Sequence, residues 1–424
     1  VRSRAAAPGS SAASRTFVLR HAGELSTLAA VGGAQGPLGV FRDAALVARD
    51  GRVVWVGRED RLGEVPLAGD VVELDVAGAW VTPGLVDPHT HAVFAGSRAA
   101  EFEARLRGAS TAEIAAAGGG IAATVEATRR APDAELAALT RARYDVFLTH
   151  GTTTLEVKSG YGLASGHELR MLRAARVKHA VRRVYTHLGA HAVPPEYEGR
   201  PDEYVDSVCD EMLPAAVGHA DFVDVFCDQG AFSVEQSRRV LLAARALGFG
   251  LKVHADELAR SGGSLLAAEL GCVSADHLVH VDRWEIAALT KAGVVPVLLP
   301  GTSFTLGLRY APAREFIAAG ASIALATDFN PGTCYCENMQ LVVALACRGM
   351  GLTPAEALQA ATAGSAAATG MSGRVGTLAP GAWCDLVVWN GEDHRELGYH
   401  FGVNLVDRVV VDGRLVVQDG QMLY

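Results

Sequence analysis

Two histidines separated by a single residue, His89 and His91, close the run Pro83-Gly84-Leu85-Val86-Asp87-Pro88-His89-Thr90-His91. In an extended strand, residues two apart point to the same side, so both imidazoles can address one cation. The apolar lead-in suits a buried parallel strand, and Ala92-Val93-Phe94-Ala95-Gly96 reads as the loop that follows. Alone, the pair also describes two structural histidines. Three later runs strengthen the metal reading: Leu251-Lys252-Val253-His254-Ala255-Asp256-Glu257, Ser274-Ala275-Asp276-His277, and Ile323-Ala324-Leu325-Ala326-Thr327-Asp328-Phe329-Asn330. Each is short, apolar, followed by a helix-length segment, and ends in groups that ligate metals or move protons.

A catalytic zinc-type site takes about three protein ligands and keeps a position for water. His89, His91 and His254 supply three borderline-soft imidazoles, and Asp328 is a hard fourth ligand. The cation lowers the pKa of bound water toward about 7, so hydroxide is available at neutral pH. Attack on a carbonyl also needs proton relays and a group that polarises the oxygen. His277 and Glu257 fit those tasks. Glu257 lies three residues past His254, so it can approach the cavity without joining the ligand set. A helix N-terminal carboxylate is the other reading of Glu257.

Separate strands that deliver polar residues at their C-terminal ends are the layout of a (β/α)8 TIM-barrel active site. Strand candidates begin near Gly84, Thr152, Arg183, Phe222, Leu251, Val273, Val294 and Ile323, with helices expected over 165–180, 233–247 and 283–292. Eight strand–helix units favour a closed α/β barrel over an open doubly wound sheet. The first loop, 92–148, is long and helical in places, and its Gly118-Gly119-Gly120 reads as a flexible bend near the site. Both ends of the chain have a β rhythm instead. A hairpin with Asp50-Gly51 at its tip has a counterpart at Asp412-Gly413, preceded by the strand Asp385-Leu386-Val387-Val388-Trp389. Asp-Gly between alternating apolar runs is a strong hairpin signal. The expected organisation is an N-terminal extension (1–16), a small discontinuous β domain (17–82 with 371–424), and the barrel between them (83–370).

With 424 residues, 50% of them hydrophobic, the chain can bury one large core and a smaller satellite. No apolar run approaches the roughly 20 residues of a membrane span. A net charge of −9 without Lys/Arg clusters argues against nucleic acid or anionic membranes as partners. An anionic small molecule stays compatible, because one arginine can hold a carboxylate whatever the net charge. The seven cysteines are scattered, and Cys334 and Cys336 lack C-x2-C spacing. They read as reduced thiols of a cytoplasmic protein. The acid-free start, Val1-Arg2-Ser3-Arg4-Ala5-Ala6-Ala7-Pro8, shares the composition of a transit peptide but lacks the apolar core of a secretory signal. It is taken as a disordered terminus.

The paired β ends, the P-G-L-x-D-x-H-T-H strand, the histidines of the fifth and sixth strands and the aspartate of the eighth together resemble the amidohydrolase superfamily. Further blocks resemble its imidazolonepropionase family. They are Val93-Phe94-Ala95-Gly96-Ser97-Arg98 with Glu101-Phe102, Ala117-Gly118-Gly119-Gly120-Ile121, and Glu156-Val157-Lys158-Ser159-Gly160-Tyr161-Gly162-Leu163. Leu188-Gly189-Ala190-His191-Ala192-Val193-Pro194-Pro195-Glu196-Tyr197, Leu298-Leu299-Pro300 and Thr327-Asp328-Phe329-Asn330-Pro331-Gly332-Thr333 complete the set.

The resemblance implies ring opening of 4-imidazolone-5-propanoate by water, giving N-formimidoyl-L-glutamate in L-histidine degradation. It implies one divalent or trivalent metal ion per subunit, zinc or iron, on His89, His91, His254 and Asp328. Arg98, Tyr161 and His191 would hold the substrate, with Arg98 on its carboxylate. Glu257 would contact the ring, Asn330, Gly332 and Thr333 would line the product side, and His277 would address the activated water. A homodimer is implied as well. From spacing alone, His187 competes with His191 for the fourth-strand role, an isolated Arg98 is more often a surface ion-pair partner, and Tyr161 reads as a core-packing tyrosine. Thr111 stands where many relatives carry tyrosine, and Gly301-Thr302-Ser303-Phe304-Thr305-Leu306 is less aromatic than usual. The competing functions are another cyclic-amide hydrolase of the superfamily, an aminohydrolase, which as a deaminase has no evident need for Arg98, and a catalytically silent paralogue.

Overall fold

The computed structural model describes residues 14–423. Most of the expected N-terminal extension lies outside the described residues. Its last three positions do not: Ser14 is followed by the first strand, Arg15–Ser26, which already pairs Thr16 with Arg49 on one side and Val71 on the other. The expected boundary at residue 16 is therefore two residues late.

Eight parallel strands follow one another in chain order around the barrel: Leu85–Asp87, Thr152–Lys158, Arg182–Ala190, Phe222–Cys227, Gly250–Ala255, Ser274–His277, Val295–Leu298 and Ala324–Leu325. The sheet closes just beyond its first and last strands. There, Thr90 bridges Phe329, His91 N–H donates to the Phe329 carbonyl (2.9 Å), and Asp328 N–H donates to the His89 carbonyl (3.1 Å). The closing seam thus runs through the residues singled out for chemistry. Two of the expected helices keep their bounds because their first turns are satisfied locally. Ser233 with Gln236 and Asp282 with Glu285 form reciprocal capping boxes, opening the helices Val234–Ala246 and Arg283–Ala292. The helix expected over 165–180 stops at Ala174. Beyond it the Val177 and Lys178 carbonyls accept from Arg183 and Arg141 (2.7 and 2.6 Å), which turns the chain toward the third strand.

The chain ends build the second sheet. Strand Trp80–Pro83 pairs antiparallel with Leu386–Trp389, and the Trp80 and Trp389 rings stack with centroids 5.4 Å apart. Trp80–Pro83 then leads through Gly84 directly into the first barrel strand, so the β layer fixes where the His89/His91 segment begins. The long first loop carries four helices, Ala99–Leu106, Thr111–Ala116, Ile121–Arg130 and Asp133–Thr149. Among the described residues no helix is long and apolar enough to cross a membrane.

Candidate metal centre and active site

The five groups expected at the metal converge at the C-terminal mouth of the barrel: His89 and His91 follow the first strand, His254 and His277 lie on the fifth and sixth, and Asp328 follows the eighth. His89, His91, His254, His277 and Asp328 are all at least 97% buried. His89, His91 and His254 bring one ligating atom each within 4.8 Å of one another, and His89, His277 and Asp328 do the same. Asp328 Oδ1 lies 3.4 Å from His89 Nε2 and 3.6 Å from His91 Nε2. His277 and Asp328 reach inward from left-handed backbone, with φ of 75° and 54°. Few side chains tolerate that region, although Asp and His are among those enriched there, and such conformations cluster at functional sites.

These groups suit a metal. The Nδ1 of His89 lies 2.6 Å from Asp276 Oδ2. An ionised carboxylate only accepts, so the ring donates from Nδ1 and keeps a lone pair on Nε2. That Nε2 meets no hydrogen-bond partner despite burial, and neither do Nδ1 of His91 and Nε2 of His254. Buried ring nitrogens without a partner are costly unless a cation satisfies them. Nδ1 of His254 lies 3.0 Å from Asp224 Oδ2, a close contact not aligned as a hydrogen bond.

Burial holds the imidazoles of His89, His91 and His277 neutral. The pKa values of His89, His91 and His277 fall well below the ordinary histidine value, first through burial and then through neighbouring cationic groups. Burial pushes Asp328 up to about 6, against a hydrogen bond from Thr302 Oγ1 (2.5 Å). Glu257 rises well above the usual carboxylate range, through burial and then the charges of Asp328 and Asp228. Its Oε2 lies 3.6 Å from His277 Nε2. The Asp228 carboxylate fixes this segment by accepting from the backbone N–H groups of Glu257 and Leu258 (2.6 and 2.8 Å).

A cavity of about 250 Å³ opens above the histidines, lined by Arg98, Tyr161, His191, Asn330 and Thr333 as well as His91, His254, Glu257, His277 and Asp328. A larger one, about 1010 Å³, lies beside Lys178, Trp383 and Arg414, away from the ligating groups. Arg98 is both things the sequence allowed: its Nε donates to Glu101 Oε2 (2.9 Å), and its guanidinium borders the cavity. Glu101 also accepts from Gly120 N–H (2.9 Å). The triple glycine is therefore a pinned turn, with Gly118 and Gly120 in left-handed backbone, rather than the flexible bend expected. His191 faces the cavity with its ring 5.2 Å from that of His91, while His187 is buried in the wall. Both belong to the third strand and its end, not the fourth. The Asn330 side chain is spent on its own loop, accepting from Gly332 and Thr333 N–H and donating to Asp328 O and Thr333 Oγ1. The Thr111 side chain lies outside the described residues.

A model described as the amidohydrolase family matches residues 80–416. The chain belongs to the amidohydrolase family. It is 50% identical over 412 residues to the imidazolonepropionase of Symbiobacterium thermophilum, covering 95% of this chain and 97% of that protein. It is 48% identical to that of Halobacterium salinarum (95% and 98% covered) and 45% identical to that of Geobacillus kaustophilus (96% and 99%). Among solved structures, a triazine hydrolase variant superposes with a TM-score of 0.76 at 18% identity, covering 96% of each chain. An adenosine deaminase from Xanthomonas campestris with bound zinc does so at 0.68 and 19%, covering 96% and 94%. At those identities the likeness is one of fold.

This amidohydrolase also carries groups that the sequence reading missed. Arg105 borders the cavity and donates to the Gly332 carbonyl (2.8 Å). Glu168 accepts from the N–H groups of Gly160, Gly162 and Leu163 (2.9, 2.8 and 2.6 Å), shaping the loop that carries Tyr161. Below the histidines, Glu156, Lys158, Asp224, Lys252 and Asp276 fill the barrel interior. Their signal was present: charged residues inside strands too apolar to face solvent.

Proposed function

We propose that this chain hydrolyses the ring amide of 4-imidazolone-5-propanoate to N-formimidoyl-L-glutamate, the imidazolonepropionase reaction, in L-histidine degradation. The observation that carries the proposal is the polarity of the cavity: a converging His/Asp array at its floor, and the guanidinium of Arg98, steadied by Glu101, on its wall. A substrate with a reactive ring at one end and a carboxylate at the other matches both. The named relatives, similar over nearly their whole length, support the same reading.

His89, His91, His254 and Asp328 would hold one zinc or iron ion. Such an ion, when bound, supplies activated water at neutral pH and polarises the carbonyl. The chain's own residues do the rest. Arg98 binds the propanoate by a charge-assisted pair, and Tyr161 and His191 confine the ring from one side. Phe226, Leu258 and Leu306 border the same cavity and limit water within it. His277, neutral through burial, accepts the proton as the C–O bond forms at the ring carbonyl carbon. Glu257, whose pKa burial raises well above the usual carboxylate range, is 3.6 Å from His277 and in its acid form donates toward the ring nitrogen as the C–N bond breaks. Among the described residues all seven cysteines are free thiols, which supports a reducing, cytoplasmic setting. A homodimer is carried over from the family resemblance, and sedimentation of the purified chain tests it.

The experiment is incubation with 4-imidazolone-5-propanoate, following loss of ring absorbance together with formimidoylglutamate and ammonia. Formimidoylglutamate without ammonia is expected. Ammonia release from the ring would identify an aminohydrolase, and no turnover by metal-loaded protein would leave the silent-paralogue reading.

A further inference from the structure

One buried ammonium ties together the carboxylates behind two of the metal-binding histidines. Lys158 Nζ lies 2.7 Å from Asp224 Oδ2, 3.0 Å from Glu156 Oε1 and 3.5 Å from Asp276 Oδ2, and all four side chains are fully buried. Asp276 Oδ2 accepts from His89 Nδ1 (2.6 Å), and Asp224 Oδ2 lies 3.0 Å from His254 Nδ1. We propose that Lys158 is a positioning residue of the metal centre: by holding Asp224 and Asp276 together, it orients His89 and His254 for a shared cation.

The physical case has three parts. Carboxylates in a dry interior are costly unless a cation compensates them, and Lys158 touches both. A carboxylate on one ring nitrogen fixes the tautomer and the ring angle that the other nitrogen presents to a metal. His89 and His254 come from the first and fifth strands, on different parts of the barrel wall, so a connection between their carboxylates sets the spacing of two ligands at once. Lys158 does not border the cavity, so its role is not substrate contact. Lys252 provides the contrast. It is equally buried, yet its ammonium directly meets Glu156 Oε2 (3.0 Å) and the Pro88 carbonyl (3.4 Å), and it acts on Asp276 only through its charge.

The inference rests on His89 and His254 being metal ligands, and not on the identity of the substrate. The test is the zinc affinity of the full chain, by competition with a chromogenic chelator, in wild type, Lys158→Met, Lys252→Met and Glu156→Gln/Lys158→Met. The double variant removes one charge of each sign and guards against misfolding of the single one. Both Lys158 variants should weaken zinc binding about 10–100-fold, the usual effect of losing a partner of a metal-bound histidine. Lys252→Met, which leaves both carboxylates their direct contact with Lys158, should weaken zinc binding clearly less, and KM at saturating zinc should be unchanged in all of them. Wild-type zinc affinity in a folded Lys158 variant, or equal weakening in Lys252→Met, would overturn the positioning role. A wild type that holds no zinc would overturn the ligand assignment itself, and the positioning role with it.

Discussion

A single methyl group at Gly332 should move the substrate's carboxylate partner without touching the reacting centre. Gly332 is not among the residues of positive φ, so alanine fits the backbone. Its Cβ, however, would collide with Arg98 Nη1 and stand 2.7 Å from Cζ and 3.1 Å from Nη2. Non-bonded carbons settle at about 3.5–4.0 Å, so the guanidinium must retreat by roughly 1 Å. Arg98 is tethered to Glu101 through Nε, and the retreat therefore tilts the free edge of the fork away from the cavity. A charge-assisted pair contributes about 1.5–3 kcal/mol, and each 1.36 kcal/mol is about a factor of ten. Gly332→Ala should thus raise KM about 10–100-fold. Because the carboxylate is remote from the ring amide, ground and transition states lose alike and kcat should hold. Initial rates over a range of substrate concentration read both constants, with the melting temperature as a folding control. A folded Gly332→Ala enzyme with wild-type KM, or one that loses kcat at constant KM, would refute the placement of Arg98.

Arg98→Met should lower kcat/KM by about one to two decades, mostly through KM, with lysine rescuing only partly because a point charge does not reproduce the planar fork. An analogue without the carboxylate should not distinguish this variant from wild type, and a difference there would assign Arg98 another task. His277→Asn should leave metal content intact and lower kcat by roughly 10²–10⁴-fold; loss of metal instead would make His277 a ligand. The pH dependence of zinc affinity follows from Asp328, pushed up to about 6 in the metal-free chain. A protonated carboxyl does not ligate, so affinity should rise with pH and level off above about 6, falling about tenfold per unit below it. Asp328→Asn should weaken binding and flatten that slope, and an unchanged slope would exclude Asp328 as the titrating ligand.

The barrel was legible because its strands are short apolar runs ending in chemistry, and local spacing reports that directly. The convergent His/Asp array was legible for the same reason: His89 and His91 share one strand end, while His254 and Asp328 announce themselves at two others. What escaped depended on distance in three dimensions. Lys158, Asp224 and Asp276 are unremarkable singly and gain meaning only when three strands bring them within 3.5 Å of one ammonium. Gly332 read as part of a product-side loop, yet its contribution is the space it leaves for Arg98, some 230 residues away in sequence. Helix ends behaved likewise. Those closed by capping boxes kept their bounds, whereas Ala174 ends a helix because side chains from elsewhere claim the next carbonyls.

Metal titration of stripped enzyme tests the central claim most directly. Chelator-treated chain should neither consume 4-imidazolone-5-propanoate nor form formimidoylglutamate. Added zinc or ferrous iron should restore product formation linearly, with a break at one ion per chain, and His254→Ala should show no such break. Full turnover by metal-free protein, or a break at two ions, would contradict a single cation held by His89, His91, His254 and Asp328.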